Sequence, residues 1–192
     1  MVNELAVIGV VAGSGTGKTT LLRRVVPLLV AKGLRLGYLK HAHHGFDLDR
    51  PGKDSYELRA AGAVQTLVAS GERWALQVEQ PAKGPDPDLG EMLGHFDPAG
   101  LDLILVEGFK HAAYPKIEVY RRALGRPPLY PDDPDILAVA ADGPLSAGAR
   151  PRYLPIDQPE AIADFIVDCL SEGRLSAPRL DGGTRCGSRA PG

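Results

Sequence analysis

The chain is 192 residues long, enough for one domain with a full hydrophobic core. Its 22 Lys and Arg against 24 Asp and Glu leave a net charge of -2, which excludes the bulk basic field that holds nucleic acid or an anionic membrane. No apolar run approaches the roughly 18 residues of a spanning helix. The start, Met1-Val2-Asn3-Glu4, lacks signal-peptide character, and Cys169 and Cys186 have no metal or redox spacing. A cytoplasmic protein is expected.

Leu5 to Val11 is a continuous β-rich apolar run, the pattern of a strand buried on both faces. Ala12-Gly13-Ser14-Gly15-Thr16-Gly17-Lys18-Thr19 follows. It fits the phosphate-cradling pattern G-x-x-x-x-G-K-[ST], with Ala12 in place of the first glycine. The glycines let backbone N–H groups turn inward. Lys18 supplies a point charge for the β- and γ-phosphates, and the Thr19 hydroxyl is suited to Mg²⁺. A helix from Thr19 to about Lys32 adds its positive dipole end to the phosphate site. Pro27 predicts a kink inside it, and Gly33 stands where a C-terminal cap belongs.

Leu34 to Lys40 alternates like a strand. The polar loop from His41 to Lys53 holds His41, His43, His44, Asp47 and Asp49. The histidines suit phosphate contact or proton transfer, or simply a solvated switch-like loop; no second ligand pair completes a zinc site. Asp54, with Glu57 three residues on, reads as the cap of a short helix ended by Gly62. Two strands, Ala63 to Ala69 and Arg73 to Val78, form a hairpin around Ser70-Gly71-Glu72. Leu89 to Phe96 is helical, and Leu101 to Val106 is a second buried strand.

Glu107 leaves that strand at its C-terminal end, the edge where ligands collect in open α/β sheets. Asp102 sits about 17 Å away, five steps at roughly 3.3 Å each. Glu107 is therefore the better metal carboxylate. Strands at Lys116–Tyr120 and Ile136–Ala140 and an amphipathic helix at Pro159–Leu170 complete the pattern. Strands alternating with helices predict an α/β, three-layer phosphate-loop sandwich with a mainly parallel central sheet. The domain is expected over residues 1–170, with residues 171–192 a Gly/Ser/Arg/Pro-rich, mostly disordered tail.

Several stretches together resemble the MobB family of molybdopterin-guanine dinucleotide biosynthesis adapter proteins. They are Ser14 to Leu22, Lys40-His41 with His43-His44, Asp47 to Arg59, Gln65-Thr66, Val68 to Ser70, Arg73 to Leu76, and above all Leu101 to His111. The resemblance spans about residues 5–170. It implies a homodimer that binds GTP with Mg²⁺, hydrolyses it slowly, and assists the guanylyltransferase of molybdopterin guanine dinucleotide synthesis. By position it assigns the phosphates to Ala12, Gly13, Ser14, Gly15, Thr16, Gly17, Lys18, Thr19 and Thr20. It assigns the metal to Thr19 and Glu107, with Asp47 or Asp49 from the switch-like loop; Asp49 is taken as the third metal residue.

Guanine selection is not legible in the residues alone. The place of an Asn-Lys-x-Asp loop reads Val139-Ala140-Ala141-Asp142, where Asp142 is either a guanine acceptor or a turn residue. Two other readings stay open. One is a small-molecule kinase with Arg121, Arg122 and Arg126 as its clamp. The other is a non-hydrolysing partner ordered by its nucleotide.

Overall fold

The structure is a computed structural model that describes residues 5–13, 15–42, 45–80 and 86–177. The chain divides into two compact units. One comprises the chain up to His41 and from Asp88 onward; the other is Ala42–Pro87.

The larger unit contains a six-stranded sheet in which every pairing is parallel. Its strands are β1 (Val7–Val11), β2 (Leu36–Lys40), β5 (Leu103–Glu107), β6 (Lys116–Tyr120), β7 (Ile136–Ala141) and β8 (Arg152–Pro155). They lie in the order β2-β5-β1-β6-β7-β8. The connections leave β1 in opposite directions, toward β2 on one side and, after β5, toward β6 on the other. The crevice at the end of β1 is thus the switch point where α/β sheets bind ligands, and the glycine-rich loop fills it.

Alternation along the strands makes both faces apolar. Ile8, Val10, Leu103, Leu105, Ile117 and Val119 join one face to α1 (Lys18–Ala31) and α4 (Pro159–Ser171). Val7, Ile104 and Val106 face the short α3 (Leu89–Leu93) with Phe109 and Tyr114. A sheet covered on both faces explains the near-continuous apolar strands. The sheet agrees with the expected α/β sandwich.

α1 runs through Pro27 to Ala31. The N–H groups of Gly33 and Leu34 then close onto Val30 and Leu29, a left-handed C-terminal cap. β8 has no counterpart in the sequence pattern. It is a four-residue edge strand with only Leu154 buried, too short and too polar outside for periodicity to reveal. The described chain also continues past the expected start of the tail. Leu175 is buried against the α1–α4 face, and residues 178–192 lie outside the described residues.

The smaller unit carries α2 (Asp54–Ala60) and the antiparallel hairpin β3 (Gln65–Ala69) with β4 (Trp74–Val78), in register Gln65↔Val78 to Ala69↔Trp74. The hairpin is as expected, and Ser70 closes its turn by accepting from Glu72 and Arg73 N–H. Asp54 is not the cap. The helix starts at Asp54 after Lys53 with no side-chain cap, and Glu57 instead accepts from Gly52 N–H at 3.1 Å. The cap moves back one residue, to Lys53, and the Glu57 contact two, to Gly52, because Asp54 already has helical backbone; its charge then serves the helix dipole.

Asp102 lies at the N-terminal end of β5 and binds Arg35 through both carboxylate oxygens at 2.8–3.0 Å. These bonds hold its pKa down, to about 2. A carboxyl depressed in the folded state stabilises above its unfolded pKa of about 3.9 and loses that contribution as pH falls through the folded value. Asp102→Asn is therefore expected to lower the melting temperature by a constant amount above pH 5. The gap to wild type should close between pH 4 and pH 2 in a melting series; a gap that persists at pH 2 contradicts the assignment.

Candidate nucleotide site

The loop between β1 and α1 turns on Gly17, whose φ of 96° is left-handed and strained for any residue with a Cβ. Thr16 donates to the Gly13 carbonyl at 3.0 Å and is 5% exposed. Lys18 Nζ points back across the loop to the same carbonyl at 3.5 Å. Burial lowers the pKa of this ammonium and Glu107 opposes the shift, while Lys40 and Lys110 add to it. Ser14 lies outside the described residues. Thr19 and Thr20 open α1 and are exposed.

Glu107 ends β5 level with Val10 of β1 and Lys40 of β2. It faces the α1 side of the sheet, as its odd-numbered neighbours Leu103 and Leu105 do. Thr19 Oγ1 donates to its carboxylate at 3.3 Å, and Tyr38 Oη donates to Oε2 at 2.6 Å. Glu107 is 6% exposed. The strand order thus brings together Thr19 and Glu107, 88 residues apart in the chain. Tyr38 is a residue the sequence did not single out. Burial and the bond to Glu107 raise its pKa, so it stays a phenol donor.

Gly108 follows with φ 103°, and a Cβ there would sit 2.8 Å from that of His41. Only glycine allows the His41 N–H to reach the Glu107 carbonyl at 2.9 Å. Phe109 takes φ 50°, uncommon for a bulky side chain, and stacks on the His41 ring at 4.6 Å. His43 and His44 lie outside the described residues.

On the other flank the loop meets residues that follow β6. Arg121 Nε donates to the Thr16 carbonyl at 3.1 Å. The Arg126 guanidinium lies over Gly13, with Nη1 3.0 Å from where a Cβ would stand. Arg122 N–H donates to Asp142 at the end of β7, and its side chain donates to the Pro144 carbonyl. In the described structure Asp142 therefore organises this turn.

The two aspartates of the switch-like loop belong to the smaller unit. Asp47 pairs with Arg59, which also binds Glu79 at 3.1 Å. The Ser55 hydroxyl and Arg50 N–H hold the Asp49 carboxyl below the usual range, so it is ionised at neutral pH. Among the described residues no cluster of three or more His, Cys, Asp or Glu is placed to hold a metal ion. Thr19 and Glu107 do present adjacent hydroxyl and carboxylate oxygens, the hard donors Mg²⁺ takes while keeping several waters.

The chain matches the family described as "MobB: Molybdopterin guanine dinucleotide synthesis protein B" over residues 7–142, from the first residue of β1 to Asp142. It belongs to the MobB family. Among MobB relatives it is 49% identical, over 162 residues, to the molybdopterin-guanine dinucleotide biosynthesis adapter protein of Escherichia coli (strain K12), covering 84% of this chain and 91% of that protein. It is 39% identical to the Haemophilus influenzae (strain ATCC 51907 / DSM 11121 / KW20 / Rd) protein of the same name over 170 residues, 88% of this chain and 92% of the relative. A crystal structure of molybdopterin-guanine biosynthesis protein B (mobB) superposes with a TM-score of 0.67 at 27% identity, covering 86% of this chain and 99% of the other. The MobB match takes in the phosphate loop, the whole smaller unit and Glu107. No helix among the described residues is long and apolar enough to cross a membrane.

Proposed function

We infer that this chain is an adapter of molybdopterin guanine dinucleotide synthesis that binds GTP with Mg²⁺, hydrolyses it slowly, and serves the guanylyltransferase of that synthesis. The single observation that carries the adapter role is the 49% identity to the E. coli adapter across most of both chains. The nucleotide role is supported by the loop geometry: Lys18 inside the loop, and Thr19 against Glu107 at its mouth.

Thr19 and Glu107 are the residues that would hold the magnesium ion. When bound, the ion neutralises phosphate charge. The chain's own part is to aim the Glu107 oxygens through Tyr38 and Thr19, and to supply Lys18. Self-association into a homodimer is supported by the hairpin of the smaller unit, one face of which carries Leu67, Trp74, Leu76 and Val78, all about half exposed or more, and contiguous exposed apolar side chains mark interaction surfaces.

The test is a pull-down with the purified chain loaded with GTP or GDP. Recovery of the guanylyltransferase supports the adapter role, and its absence in both states counts against it. Glu107→Gln keeps the shape and the Thr19 and Tyr38 donors but removes the charge. It is expected to raise the Mg²⁺ concentration needed for half-maximal GTP binding about tenfold. An unchanged Mg²⁺ dependence in titrations of GTP would remove Glu107 from the metal site. The kinase reading has the nearby arginines in its favour; phosphoryl transfer to a pterin, read by mass spectrometry, would replace hydrolysis with transfer.

A further inference from the structure

We propose that Arg126 is a phosphate-contacting arginine that the chain supplies to its own nucleotide site, on the flank opposite Glu107, where it reads the terminal phosphate. The proposal rests on the reading of the loop as a triphosphate site. The strand order β5-β1-β6 places the phosphate loop between Glu107 and the segment after β6. Lys18 is the residue that reaches the outer phosphates in such loops, and here it points back to the Gly13 carbonyl. The Gly13 end of the loop is therefore the terminal-phosphate end. The Arg126 guanidinium lies over that same glycine and fills the space a side chain would take.

The segment that carries Arg126 is pinned on both sides of it. Before it, Arg121 holds the Thr16 carbonyl, and Arg122 holds Asp142 and Pro144. After it, Leu129 and Tyr130 donate their N–H groups to Glu118 at 2.8 and 2.9 Å. Glu118 is 2% exposed. Between these ties a cavity of about 220 Å³ opens beside Gly13 and Thr16, lined in part by Arg121 and Arg126. A guanidinium held in place before the ligand arrives loses little freedom on contact, and its planar fork suits phosphate oxygens. The charge balance points the same way. A triphosphate carries more negative charge than Lys18 and one divalent ion neutralise beside Glu107, and a second cation on the open flank answers the excess.

The experiment compares GTP and GDP binding, and single-turnover hydrolysis, in wild type, Arg126→Ala and Arg126→Lys, with circular dichroism melts to check the fold. Arg126→Ala is expected to weaken GTP about tenfold or more while changing GDP less than threefold, with turnover reduced at least as much. Arg126→Lys should recover part of the GTP preference, because it restores charge without the fork. Gly13→Ala places a methyl against Nη1 and should shift the GTP:GDP ratio in the same direction as Arg126→Ala. Equal losses for GTP and GDP, or no loss for either, overturn the proposal. Wild-type chain that binds neither nucleotide removes the triphosphate reading itself, a result distinct from a binding wild type with an indifferent Arg126.

Discussion

Lys18→Ala is expected to abolish measurable GTP binding, a loss on the order of a hundredfold, while the protein still folds. A hydrogen bond to a charged group is worth about 1.5–3 kcal/mol, and roughly 1.4 kcal/mol is tenfold in affinity. Lys18 spans the loop from α1 to the Gly13 carbonyl, so it meets the phosphates at short range in a partly buried setting, where screening is weak. Its removal leaves the β1 and α1 packing intact, since the helix is held by Leu21, Leu22, Val25 and Leu29. The melting temperature should therefore move by no more than about 2 °C. Lys18→Arg should not restore binding fully, because a planar fork does not fit a site shaped for a point charge. Titration with a fluorescent GTP analogue decides the matter, and unchanged affinity in Lys18→Ala would move the nucleotide away from this loop.

The half of this site that lies near in sequence was legible; of the half built by topology, Glu107 was and its partners were not. The strand–loop–helix around Lys18 is a local unit, so composition and spacing reveal it. Glu107 was legible because position along a strand fixes which edge a residue leaves from, whatever its neighbours are. Its hydrogen-bond donor Tyr38 was not. That contact exists only because β2 pairs with β5, in register Tyr38↔Leu105, and no periodicity encodes which strand lies beside which. Arg121 meets the loop across 105 residues for the same reason. The three arginines stood out as a cluster, yet their spacing alone did not show which of them faces Gly13. β8 escaped because an edge strand needs only one buried residue, Leu154. The separate unit at 42–87 is likewise a long-range property: its ends, at Ala42 and Pro87, lie on either side of a segment that packs on itself.

The second large effect concerns stability. Asp133→Ala is expected to cost about 3 kcal/mol. Lys116 opens β6 with its side chain 2% exposed, and its ammonium is held by Asp133 at 2.7 Å and by the Ala112 carbonyl at 2.7 Å, with the Tyr114 ring at 5.3 Å. Removing one partner of a buried pair typically costs about 3–5 kcal/mol, because the other charge is left without compensation. The low end applies here, since Asp135 at 4.0 Å and the Ala112 carbonyl remain. Against a total of about 5–15 kcal/mol this is a large fraction, and at roughly 2–4 °C per kcal/mol it lowers the melting temperature by about 6–12 °C. Replacing both charges with apolar groups, in Lys116→Met with Asp133→Leu, should recover most of the loss, because burying the pair was itself costly. Urea denaturation separates the outcomes. If Asp133→Ala falls within about 1 kcal/mol of wild type, the pair is not what compensates the buried ammonium. If the double variant is worse than the single, the pair's attraction exceeds its desolvation cost. Asp133 stands just before β7, and Lys116 at the start of β6. The pair therefore closes the base of the excursion that carries Arg121 and Arg126 to the phosphate loop, and the same contact that sets stability also sets how firmly those arginines are presented.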